Sequence, residues 1–158
     1  MHTMDETHQI LLNEFERVVE PLGIQIVQLS AHTGKSGMNI RVVIHRNGGV
    51  TLDDCEQVTR IFNDILTILE PIDENNYTLQ VSSPGIDRVF KDEKEYNIFA
   101  SAHVKIVVDK AFPYGEGGVI RGVLKGLKGE SVVLVPHNEP KKELSIPINS
   151  IRKTQLDG

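Results

Sequence analysis

Gly34-Lys35-Ser36 has the residue types that close a phosphate-binding loop, in which backbone amides and a lysine cradle a nucleotide. The spacing excludes that use. Such a loop needs a glycine five residues ahead of its Gly-Lys pair, and that position is Leu29. It also needs a strand feeding a helix, whereas this segment lies between two strand-like stretches. Gly115-Glu116-Gly117-Gly118 fails as a dinucleotide turn for the same reason, since no helix opens after it. Ser82 and Ser83 lack the glycine frame of a nucleophile elbow. His2, His8, His32, His45, His103 and His137 contain no His-x-x-x-His pair, and the one cysteine supplies no thiolate set for a metal. His32 and His45 can approach across a hairpin, and they are not read as metal ligands. Cys55 falls on an apolar helical stripe, where cysteine acts as a small hydrophobe. Asp53 and Asp54 suit the start of that helix, where negative charge favours the dipole. No catalytic residue, metal site or cofactor is expected, and the chain reads as a binding protein rather than an enzyme.

The elements around these residues follow from periodicity. Leu11, Phe15, Val18 and Leu22 recur at helical spacing, with Glu14, Glu16, Arg17 and Glu20 on the other side. Thr3 with Glu6 is a candidate capping box, and Pro21 with Gly23 ends this helix. Residues 24–29 predict a strand. From Asn39 to His45, Ile40, Val42 and Ile44 alternate with Arg41, Val43 and His45, so the two strands form an antiparallel hairpin about residues 34–37. Thr51 and Asp54 open a second helix whose stripe is Cys55, Val58, Phe62, Ile65 and Leu69, closed by Pro71. Tyr77, Leu79 and Val81 mark a third strand. Two helices then cover one face of a three-stranded sheet, and Arg41, Val43, His45, Thr78 and Gln80 occupy the other.

Beyond the charged run Lys91–Glu95 the pattern changes. Alternation at Val104, Ile106 and Val108, a turn over 113–118, and alternation at Ile120, Gly122 and Leu124 are followed by a turn at 128–130. Val132–Val135, Leu144–Ile146 and a basic strand at Arg152-Lys153-Thr154 complete the set. Short strands separated by turns predict a small SH3-like or Sm-like β-barrel. The expected fold class is therefore α+β. It comprises an α-β-β-α-β domain over 1–85, a linker with a short helix over 86–100, and a barrel over 101–158.

Composition bounds the rest. The 158 residues include 39% hydrophobic and 25% charged positions, the balance of a folded chain. A single cysteine excludes an internal disulfide. No run reaches the length of a membrane span, and the first residues do not resemble a leader, so a cytoplasmic protein is expected. The net charge of −5 is uneven: residues 1–100 carry 8 Lys/Arg against 16 Asp/Glu, and residues 101–158 carry 9 against 6. Two parts of opposite sign suggest two kinds of partner.

Val81-Ser82-Ser83-Pro84-Gly85-Ile86-Asp87-Arg88 reads as a strand end running into a type II turn, with Pro84 at its first central position and Gly85 supplying the positive φ of the second. As plain structure it is a stiff linker between domains, with Asp87 and Arg88 paired to local groups. The segment resembles the Ser-Ser-Pro-Gly signature of the bacterial ribosome maturation factor RimP family. Val50–Cys55 is similar to that family's entry into its second helix, Val18–Val27 to its first helix-to-strand passage, and Ile146–Leu156 to the close of its barrel. The likeness spans roughly residues 8–156. Ile86 stands where the family commonly has Leu, and Val89 where a Pro often follows the Arg.

The resemblance implies an α/β first domain, an Sm-like or SH3-like second domain, and a cytoplasmic factor that assists assembly of the small ribosomal subunit. It implies binding to the immature small subunit and to a basic small-subunit ribosomal protein, the one conventionally numbered twelve. The charge division adds candidate contacts. Glu14, Glu16 and Glu20 face the basic protein; Lys125, Lys128, Arg152 and Lys153 lie near ribosomal RNA or acidic groups. Arg41 and Arg88 are further candidates. The main alternative is a stand-alone RNA-binding module, opposed by the overall acidity and by the few aromatics available for stacking. A hydrolase is a remote third reading, and no membrane or small-molecule substrate is expected.

Overall fold

The computed structural model describes residues 3–35, 37–69, 76–110, 112 and 118–158. Expectations resting on His2, Ser36, Pro71 and residues 113–117 fall outside them. The chain divides into two units, Met1–Pro84 and Gly85–Gly158.

In the first unit, Thr3 Oγ1 accepts from the Glu6 amide and starts α1, Met4–Val19. Pro21 then tightens the chain into one 3-10 turn, Glu20–Leu22, and Gly23 at φ 74° ends it. Of the apolar stripe, Leu11, Phe15 and Val19 are buried, while Val18 and Leu22 are half-buried. Strand β1, Gln25–Gly34, pairs antiparallel with β2, Gly37–His45, with Val27 extruded as a bulge. Helix α2, Leu52–Leu66, has a complete capping box, with Asp54 N donating to Thr51 Oγ1 and Thr51 N to the Asp54 carboxylate. The Thr51 amide holds the Asp54 carboxyl below its ordinary pKa, and the Thr51 side chain and Arg46 add to the effect. Strand β3, Tyr77–Ser82, returns parallel to β2, giving the order β1-β2-β3. Ile40, Val42 and Ile44 of β2 face the helices, whose Phe15 and Phe62 stack with ring centres 3.8 Å apart.

The second unit is a five-stranded antiparallel sheet. Its strands are β4, His103–Val108; β5, Val119–Lys128; β6, Ser131–Pro136; β7, Leu144–Pro147; and β8, Ile151–Leu156. The order is β7-β6-β5-β4-β8, so the ladder does not close among the described residues. The two end strands are instead joined by a 3-10 turn, Ile148–Ser150, whose Ile148 amide bonds the Glu130 carbonyl.

Two expectations are corrected here. The interval 86–100 is not a linker: it packs into the second unit. Phe90 N donates to the Thr154 carbonyl and Leu156 N to the Arg88 carbonyl, with Val89 opposite Gln155, so residues 88–90 lie along the outer edge of β8. The short helix expected there is present as α3, Glu95–Ile98. The turn is also displaced. Gly85 has no left-handed φ; the bond runs from Arg88 N to the Gly85 carbonyl at 3.1 Å, around Ile86 and Asp87. Pairing of 88–90 with β8 forces the chain to turn immediately before Arg88, which overrides the Pro-Gly preference. The left-handed glycine that matters is Gly126, at φ 134°, where an added Cβ would stand 2.7 Å from Asn97 Oδ1, itself the acceptor of the Leu127 amide.

Gly126→Ala should therefore cost on the order of 1–3 kcal/mol, and Gly85→Ala less than about 1 kcal/mol. Denaturant titration of the two variants checks the contrast. A fragment of residues 85–158 should give a dispersed amide spectrum, as should 1–84. A fragment of 98–158, which lacks the segment beside β8, should not.

Candidate partner-binding surfaces

The residues singled out in the sequence occupy separate places. Glu16 on helix α1 and Glu20 at its C-cap are exposed, while Glu14 is half-buried and accepts from Arg17 Nη2 at 2.8 Å. Arg41 lies between the core-facing Ile40 and Val42, so it projects from the opposite face of the first sheet, level with Ser30 and Gln80. It does not join the α1 carboxylates. His45, on the same outer face, is half-buried, and desolvation lowers its imidazole pKa.

In the second unit Lys125 is exposed at a β5 bulge, and Lys128 stands at the β5–β6 hairpin. Arg152 is the irregular residue of β8, which leaves both it and Lys153 exposed on consecutive positions. They meet at the wall of a cavity of about 200 Å³ that Phe90, Lys91, Tyr96 and Thr154 also line, together with Asp92 and Glu93. Tyr96 shares a 2.7 Å hydrogen bond with Thr154 Oγ1, and burial raises its phenol pKa. Lys153 is level with Val107 of β4 and so with Val119 at the start of β5, whereas Lys125 and Lys128 are at that strand's far end. The four cations form no single patch.

Arg88 is not available to a partner in this arrangement. Its Nε donates to Glu95 Oε1 at 2.7 Å, and the two side chains are 9% and 1% exposed. The other Glu95 oxygen accepts from the amides of Lys91 and Asp92.

The sequence reading missed a cluster on the outer face of β4 and β5. The register sets Lys105 opposite Arg121, and His103 Nδ1 lies 2.9 Å from His137 Nε2. Arg121 Nη1 bonds both oxygens of Asp157, at 2.8 and 2.7 Å. Hydrogen bonding from Arg121 holds the Asp157 carboxyl below its ordinary pKa, with Lys105 and His137 adding weaker attraction. An imidazole pair in hydrogen-bond contact needs one ring nitrogen to donate and the other to accept. The period-two pattern already turned Lys105 and Arg121 outward; the strand pairing that makes them neighbours was the missing signal. Among the described residues no three histidine, cysteine or carboxylate side chains gather as a metal site, and no helix is long and apolar enough to cross a membrane.

These surfaces offer charge and hydrogen bonds to a macromolecule. A family model described as the RimP N-terminal domain matches residues 14–87. The chain carries a RimP N-terminal domain. The match takes in Pro21-Leu22-Gly23, Val50–Cys55 and Val81–Asp87, so it supports the RimP family on the motifs that first suggested it. That family is one of ribosome maturation factors and is not a known enzyme family. The match ends at the start of the second unit, whose closing Ile146–Leu156 lies beyond it.

With the RimP domain assigned, Arg88 at its margin takes a structural role. Arg88→Met leaves the buried Glu95 without its counter-charge and should cost about 3–5 kcal/mol, while adding Glu95→Gln should recover part of that loss. Urea unfolding of the single and double variants measures both.

Proposed function

We propose that this chain assists maturation of the small ribosomal subunit by binding the immature particle and a basic small-subunit protein, the one conventionally numbered twelve, in the cytoplasm. The RimP N-terminal domain match carries the reading. Charge supports a division of labour: the first unit holds 5 Lys/Arg against 12 Asp/Glu, and the second 12 against 10. An acidic unit attracts a basic ribosomal protein and repels RNA. The second unit, which we read as an SH3-like or Sm-like barrel, presents Lys105, Lys153, Lys125 and Lys128 towards ribosomal RNA phosphates. Its five antiparallel strands, the β5 bulge and the 3-10 turn before β8 support that reading. The two units act as separately folded domains.

Gradient fractionation of extract should find the protein with immature small subunits and not with mature ones; an even distribution, or free RNA as its main companion, removes the assembly role. Binding to the basic protein should slow as salt rises, chiefly in the association rate. Reversing Glu14, Glu16 and Glu20 to Lys should lower that rate about tenfold, while reversing Lys105 and Lys153 to Glu should spare the binary complex and reduce retention on immature subunits. Stopped-flow mixing at several salt concentrations reads the first effect and co-sedimentation the second.

A further inference from the structure

A strand edge is a row of backbone donors and acceptors that folded proteins ordinarily blunt. Three of the four sheet edges among the described residues show such a device. The β1 edge is broken by the Val27 bulge, and its Leu29 carbonyl accepts from His8 Nε2 at 2.8 Å. The β8 edge is covered by residues 88–90. Strand β7 is four residues long and ends at Pro147.

The β3 edge has none of these. Tyr77-Thr78-Leu79-Gln80-Val81-Ser82 is a regular six-residue strand without charge, proline, glycine or bulge, and no strand pairs with its outer side among the described residues. The composition is that of a segment prone to pair with another chain. Its core-facing side chains are unfinished as well. Ile40, Val42 and Ile44 of neighbouring β2 are fully buried, but Tyr77, Leu79 and Val81 are only half-buried. Helix α2 packs against β3, tied by the bond from Tyr77 Oη to Asn63 Oδ1, and carries exposed Asp53, Glu56 and Asp64.

We infer that β3 is a docking edge, and that an extended basic polypeptide segment adds to it as a fourth strand. Main-chain hydrogen bonds would supply the binding, and the half-buried apolar side chains the seat. Charge selects the occupant. A second copy would bring its own 12 carboxylates against 5 cations to the interface, whereas a basic segment meets opposite charge. The inference rests on the proposed docking of a basic ribosomal protein to the first unit, and names where and how that protein is held.

The test is amide hydrogen exchange on the full-length protein, alone and mixed with small-subunit protein twelve, with complex formation followed in the same samples by calorimetry. Alternate residues of a strand offer their main-chain groups to opposite neighbours. Binding should therefore slow exchange at least tenfold at one alternating set, either Tyr77, Leu79 and Val81 or Thr78, Gln80 and Ser82. A complex that forms while these amides are unchanged, or change without that alternation, overturns the docking edge and leaves the proposed function standing. Failure of any complex to form overturns both. Slowing of the same amides with rising concentration of the protein alone shows that a second copy takes the edge, and overturns the choice of a basic segment.

Discussion

The ion pair between Arg88 and Glu95 is the constraint on which the second unit's construction turns. A carboxylate that is 1% exposed is tolerable only if its oxygens are fully engaged, because an unpaired buried charge costs several kcal/mol. Glu95 meets that demand with one guanidinium and two amides, and all three donors come from the segment just before it. Satisfying the charge thus fixes the path from Arg88 to Asp92. That path lays residues 88–90 along β8 and sets Phe90 against Tyr96 and Phe99, with ring centres 5.2 Å apart in each case. An apolar pair of similar shape could pack as well, but would not dictate the direction in which the chain leaves the turn.

The first unit uses a different principle. Its two helices meet through the stacked rings of Phe15 and Phe62 over the aliphatic face of β2, so a sheet of three strands obtains a core from both helices on one side only. Such a sheet keeps one polar face and two edges. β1 is bulged and partly capped from α1, and β3 is left regular because α2 must cross over to place it parallel to β2. The open edge is therefore a consequence of the topology, and the neutrality of Tyr77–Ser82 is what the sequence adds to it.

Local pattern made much of this legible. The stripes of α1 and α2, the β1–β2 hairpin and the strands of the second unit each follow from spacing in the chain. What was lost depended on partners distant in sequence. Lys91–Glu95 reads as a solvated run, since nothing in its polarity distinguishes the buried Glu95 from the exposed Glu93. Pro84-Gly85 signals a type II turn, and the pairing of 88–90 with β8 displaced it. Strand number was readable in the second unit; strand order was not, so the open ladder and the neighbourhood of Lys105, Arg121, His103 and His137 had no sequence signal. For the candidate contacts, exposure was legible for most and juxtaposition for almost none.

That scatter of cations bears on how the two units would share the work proposed for them. RNA affinity from charge depends on the number of phosphates neutralised, with log K falling by about 0.9 or less per contact for each unit of log salt. Arg121 already faces Asp157, and Lys125 and Lys128 stand at the opposite end of β5 from Lys153. A phosphate backbone laid across the second unit would meet these cations in separate groups and not as one stripe, which limits how many phosphates are neutralised together. On the proposed reading, the second unit orients the protein near RNA without selecting a sequence. Selection then falls to the first unit, where shape, an open edge and opposite charge act on one protein partner. Weak RNA contact would also favour release once the particle matures, because no large phosphate footprint has to be given up.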